Sequence, residues 1–304
     1  MSHMPHIFDT HTHFFSRAFY EYQAEQVPGG NVYELMEKMA RHGIEIPDGD
    51  PLKHRDRFIA ELDANGVTRA VVFASVPDEM EAVGEAARTS EGRLFPYAAV
   101  NPRVPETIEK LASLQDTYRF RGMLLFPAMH GYPIGDPAVN FALDLASDLE
   151  LVVFVHCGLL RVTIRAVLGL SPDFPLEYSH PKDLIPVAKS RPNLSFIIPH
   201  FGGGFFEEFL LVGKECPNVY ADTAGSNMWG MFQFPELHLD DFYLDTVRIF
   251  GIERILFGSD TAGFPRGYRK DVLKAQVRAM HDARIATDNQ SLILGGNLSR
   301  LLEV

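Results

Sequence analysis

The sequence predicts a single (β/α)8 barrel, and three observations lead to it. Eight short apolar runs rich in β-branched and aromatic residues recur along the chain, helix-like patterns separate them, and 304 residues give room for eight such units. The runs lie at 6–9, 70–74, 95–100, 122–126, 151–155, 194–199, 219–222 and 254–258. Several are continuously apolar, as in Val152-Val153-Phe154-Val155, which suits strands buried on both faces of a parallel sheet. Strands alternating with helices imply right-handed crossovers. The competing fold, an open doubly wound sheet, would carry a glycine-rich phosphate turn after its first strand. Here the first strand runs into His11, Thr12 and His13 instead.

The elements follow in order. A long connection, 14–53, separates the first strand from its helix, in which Phe58, Ile59 and Leu62 share a face and Asn65-Gly66 supplies the stop. Phe141, Leu145 and Leu149, spaced by four, mark the helix before the fifth strand, and 207–212 and 240–250 show similar patterns. A second long connection, 158–179, follows the fifth strand. In a barrel both connections emerge at the carboxyl ends of the strands, where lids and substrate contacts arise. Residues 4–304 read as one domain without repeat or linker. Residues 1–3 read as an expression-tag remnant ahead of a native Met4, so His3 is set aside.

Composition narrows the function. With 46% hydrophobic and 22% charged residues the chain can bury a large core. The net charge is −12 and no basic run exceeds Arg269-Lys270, so no nucleic-acid partner is expected. No stretch approaches the length of a membrane span, so no membrane partner is expected either. Cys157 and Cys216 form neither a disulfide framework nor a metal finger. With no signal segment at the start, the expected location is the cytoplasm.

The chemistry gathers at strand ends. Side chains alternate along a strand, so His11 and His13 point to one side, and at a barrel mouth they offer half of a zinc-type site. Taken alone, two exposed histidines near a terminus would account for this pair equally well. The other runs add to it: the fifth ends at His156, the sixth at His200 and the eighth at Asp260. A lone histidine after a strand is usually a hydrogen-bonded structural residue, but packing alone does not explain four strands ending this way.

The stretches FDTHTH, RGMLLFP, VVFVHCG, FIIPHFGGG, PNVYADTAG, RILFGSD and LGGN resemble the amidohydrolase superfamily, in particular the amidohydrolase-related group that includes aminocarboxymuconate-semialdehyde decarboxylase. The resemblance implies that His11, His13, His156 and Asp260 bind one divalent metal ion and that His200 is catalytic beside it. Binuclear relatives often carry a carboxylated lysine at the end of strand four. Here that strand reads Gly122 to Pro127 without a lysine, so one ion is expected, zinc by preference and manganese as the alternative. Such an ion brings the pKa of bound water to about neutrality. Asp260 could then orient the water or take its proton, and His200 could hold it or polarise the substrate.

The remaining residues are open to two readings. Arg161 and Arg165, in the connection after strand five, could grip a substrate carboxylate or be solvated surface arginines. Arg17 and His130 are weaker candidates of the same kind. His180 reads as structural and Cys157 as packing. The glycines at 202–204 suit a sharp turn and a close approach of backbone to ligand, more than a phosphate cradle. Trp229 could wall the pocket or cover the rim. The expected activity is metal-dependent hydrolysis of a lactone, amide or related carboxyl derivative. The alternative is non-oxidative decarboxylation of an aromatic or muconate-like acid. Many aromatic-acid decarboxylases of the group replace the first histidine of the pair by glutamate, whereas this chain keeps His11. A non-catalytic scaffold is disfavoured by the intact His200 and Asp260. The expected partner is a small, carboxylated substrate, and assembly into a homo-oligomer is compatible with the sequence.

Overall fold

The computed structural model describes residues 6–304. The remnant read at 1–3, with its His3, lies outside them. Eight parallel strands form one sheet in sequence order: β1 (Ile7–His13), β2 (Val67–Ala74), β3 (Leu94–Val100), β4 (Gly122–Leu125), β5 (Val152–Val155), β6 (Phe196–Ile198), β7 (Val219–Asp222) and β8 (Ile255–Leu256). The sheet closes on itself. Backbone hydrogen bonds from Thr10 to Phe257, from His13 to Thr261 and from Asp260 to His11 tie β1 to the end of β8. Helices alternate with the strands, including Pro51–Ala64, Pro137–Asp148, Phe206–Glu215 and Leu239–Phe250. This is the (β/α)8 barrel that the sequence predicts. Among the described residues, no helix is long and apolar enough to cross a membrane.

Strand alternation sorts the core into two layers. Val71 and Phe73, Tyr97 and Ala99, Leu124 and Phe126, Val152 and Phe154, with Ile197 and Leu256, fill the barrel interior, and Leu298 and Leu302 join them from the C-terminal segment. The alternate residues, such as Ala70, Val72, Val153, Val155 and Phe257, pack outward against the helices. Cys157 belongs to this outer layer, and burial pushes its thiol far up, so it packs rather than attacks.

The two long connections are more ordered than the sequence suggested. The first contains helices Arg17–Glu25 and Val32–Arg41, and the second contains Ile164–Leu168. Phe19, Tyr20, Met36 and Met39 from the first bury against Ile164 and Leu168 from the second, as a third apolar cluster.

Candidate metal centre

β1 delivers two histidines to the mouth through a bulge. Asp9 pairs with Ala70 and Thr12 with Val72, so three steps on β1 oppose two on β2. The extra residue reverses the alternation. Phe8 fills the interior, and beyond the bulge His11 also faces it, its ring 4.8 Å from Phe73 and 5.2 Å from Phe154. His13 follows on the same side, 5.3 Å from His11 between ring centres.

His200 arrives by a different route. Phe196 and Ile198 face outward, so simple alternation would send His200 outward too. Its backbone takes φ +61°, and Phe201 takes +50°. That turn brings the His200 ring to 5.0 Å from His11 and 5.2 Å from His156. Asp260 has φ +59°. Left-handed backbone at non-glycine residues is costly and is held only where surroundings enforce it, often at functional sites. Gly225 packs against both residues: a Cβ there would lie 3.1 Å from Asp260 Oδ2 and 3.3 Å from His200 Nδ1.

His11, His13 and Asp260 offer donor atoms that all lie within 4.8 Å of one another. Asp260 Oδ1 is 3.6 Å from His11 Nε2 and 3.5 Å from His13 Nε2. Burial would raise the Asp260 pKa, but the surrounding histidines outweigh it and hold the carboxylate ionised. Hydrogen bonds fix which ring nitrogens face the centre. His11 Nδ1 meets Asp222 Oδ2 at 2.6 Å and His13 Nδ1 meets Ser75 Oγ at 2.8 Å, leaving both Nε2 atoms free. His200 Nδ1 donates to the Ala224 carbonyl at 2.9 Å, so Nε2 of its neutral ring carries the lone pair. His156 lies outside the tight trio, yet its Nδ1 is buried without a hydrogen-bond partner among the described residues. Burial, then the neighbouring histidines, keep it far below the usual histidine pKa and hence neutral. Neutral imidazoles, one carboxylate and an unpartnered buried ring nitrogen suit a divalent cation.

Sequence reasoning missed the groups behind this centre. Asp222 ends β7, fully buried, with Oδ1 accepting from Ala224 N at 2.7 Å. Burial pushes its carboxyl up and the His11 ring down, so the imidazole beside it is neutral. Glu79 accepts from Ser16 N at 2.7 Å and Ser75 N at 2.9 Å, and so braces the serine that holds His13. Asp9 joins β1 to β8 by accepting from His11 N, Ser259 N and Tyr268 Oη. The available signal was that β7, like its neighbours, ends in a polar residue. Gly258 lies inside this crowd, where a Cβ would come within 2.3 Å of Asp222 Oδ1.

The structure treats the other candidates differently. Arg161 pairs with Asp173 at 2.8 Å on the exposed side of its loop. Arg165 donates to the Ser171 carbonyl at 2.8 Å and lies over Phe174. Among the described residues, neither has a hydrogen bond or ring contact with the histidines, so each is committed within its own connection. Arg17 likewise pairs with Glu21, and His180 sits 3.6 Å from Glu208. His130 Nδ1 is buried without a hydrogen-bond partner among the described residues. The glycine run brings backbone to backbone rather than to ligand: a Cβ on Gly203 would meet the Cys157 carbonyl at 2.9 Å.

Histidines and an aspartate converge at the carboxyl ends of β1 and β8 of a (β/α)8 barrel in an arrangement that could hold a divalent cation. Comparison gives the family: a family model described as amidohydrolase matches residues 8–304, and the chain belongs to that family. No curated protein matches the sequence. Among solved structures, the chain is similar to a probable 2-pyrone-4,6-dicarboxylic acid hydrolase from Acinetobacter baumannii with citric acid bound (TM-score 0.61, 17% identity, 98% of this chain and 99% of that one). It is also similar to an amidohydrolase from Burkholderia multivorans with bound zinc (0.66, 14%, 98% and 99%). A third is 5-carboxyvanillate decarboxylase from Novosphingobium aromaticivorans, complexed with manganese and 4-hydroxy-3-methoxy-5-nitrobenzoic acid (0.66, 14%, 99% and 96%). At these identities the likeness concerns the fold.

Proposed function

We propose that the protein is a mononuclear metal-dependent hydrolase acting on a lactone, amide or related derivative of a small carboxylated acid. His11, His13, His156 and Asp260 would hold the ion, zinc by preference and manganese as the alternative. The observation that carries the reading is the convergence of His11, His13 and Asp260, with the neutral, buried His156 ring 5.2 Å from that of His200, which itself lies 5.0 Å from His11. Such an ion supplies Lewis acidity, polarising a carbonyl and acidifying water.

The chain's own groups do the rest. Asp260, ionised at neutral pH, accepts a proton from the attacking water and returns it to the leaving oxygen or nitrogen. His200 presents Nε2, with its Nδ1–H anchored on Ala224, to orient the water or, once protonated, to steady charge on the substrate oxygen. Asp222 and Ser75 keep the His11 and His13 rings from rotating. Phe73 and Phe154 lie against the His11 ring and Phe126 against that of His156, and together they exclude water from beneath them.

The second reading is decarboxylation of an aromatic acid. It draws on the bound nitrobenzoic acid of the manganese-containing neighbour, and the same Asp260 or His200, having first taken a proton from water, could deliver it to the carbon that loses CO₂. Screening metal-loaded protein against aromatic carboxylic acids and pyrone-type lactones, with CO₂ release and acid production scored separately, tests both. Acid production without CO₂ supports hydrolysis, and CO₂ release overturns it in favour of the lyase.

A further inference from the structure

Trp229 is the only tryptophan of the chain. It lies in the segment that follows β7, Ser226–Phe232. Its ring centre is 5.7 Å from that of His200 and 5.9 Å from that of Phe232, and its side chain leans on the outer core. Its Nε1 is buried and has no hydrogen-bond partner among the described residues. An indole N–H can only donate. A buried donor left unpaired is destabilising, so native proteins rarely keep one without an acceptor.

We propose that the acceptor is the substrate: Trp229 Nε1–H holds a carboxylate oxygen of a flat, unsaturated acid bound beside His200, and so helps to set specificity. The inference rests on the reading of the site as one for small carboxylated acids. A donor without acceptor capacity favours an anionic oxygen over an amine, and an indole face beside an imidazole favours a planar ligand.

The single tryptophan makes the test direct. Zinc-loaded protein is titrated with isophthalate, a flat dicarboxylate, by calorimetry and by tryptophan emission. The emission should shift and saturate in step with the heat. Global replacement of tryptophan by benzothienylalanine exchanges this one N–H for sulfur at nearly constant shape. Isophthalate should then bind about ten- to a hundredfold more weakly, the worth of a hydrogen bond to a charged group, with zinc content unchanged. Trp229→Phe should weaken binding at least as much. Affinity unchanged in both, or binding heat without an emission change in the natural protein, overturns the role of Trp229 alone. Failure of the natural protein to bind isophthalate at all overturns the carboxylate reading and this inference with it.

Discussion

Replacing Asp222 by Asn changes one buried carboxylate into an amide of the same shape. The natural contact to His11 Nδ1 is 2.6 Å, with side-chain exposures of 2% and 0%, so water cannot substitute for it. The Asn oxygen can still accept from Ala224 N, now 2.7 Å from Oδ1, which turns the amide NH₂ toward His11. Nδ1 must then accept, and the ring proton moves to Nε2, the atom that faces Asp260. That is the wrong tautomer for a ligand. Groups that orient metal-binding histidines typically contribute about 10–100-fold in affinity, or about 1.4–2.8 kcal/mol at ~1.4 kcal/mol per decade. Competition against a chromophoric chelator measures this, with circular dichroism as the check on folding. The expected loss is smaller than that of His11→Ala, which removes the ligand itself. A folded Asp222→Asn protein whose zinc affinity is within about twofold of the natural one would refute the reasoning.

Three further outcomes follow from the same geometry. His200→Asn should keep its metal yet lose about 10²–10⁴-fold in kcat, the usual worth of acid–base assistance; metal loss equal to that of His11→Ala would show that a ligand was misassigned. Arg161→Ala removes an exposed pair with Asp173, worth about 0–1 kcal/mol, so KM and melting temperature should scarcely move; a large rise in KM would restore Arg161 to the substrate site. Burial raises the Glu79 carboxyl from its ordinary 4.5 to about 8, so the folded state holds a proton there that the unfolded state has already lost. Its contribution to stability is complete below about pH 4.5 and lost as pH rises through about 8. Urea denaturation of metal-free protein should therefore show Glu79→Gln with a flatter stability profile between pH 5 and 8 than the natural chain; parallel profiles would contradict this.

The barrel strands were legible because parallel strands buried on both faces leave continuous apolar runs, and even the two-residue β8 lies within one. The helices of the first long connection were not legible. Phe19, Tyr20, Met36 and Met39 find their apolar partners at Ile164 and Leu168, more than a hundred residues away, so no local pattern predicts the cluster. His11 and His13 were readable as a pair because alternation holds between them, although the bulge that aims them inward leaves no mark in the sequence. His200 was readable as a strand-end histidine, while its entry into the mouth depends on a left-handed turn. Asp222 went unread because its partner, His11, is distant in sequence and a carboxylate after a strand has many ordinary uses. Arg161 was readable only as a guanidinium on a long loop near the site, and its pairing with the exposed Asp173 of the same loop left no mark in the sequence.

The central claim is one divalent ion held by His11, His13, His156 and Asp260. Elemental analysis of the purified natural protein and of His156→Ala, each dialysed against excess zinc and then metal-free buffer, tests it most directly. The account predicts about one ion per chain in the natural protein and a large loss in the variant, because the neutral, buried His156 ring, 5.2 Å from that of His200, would supply one of the four ligands. Two ions per chain, or full retention by His156→Ala, would contradict it.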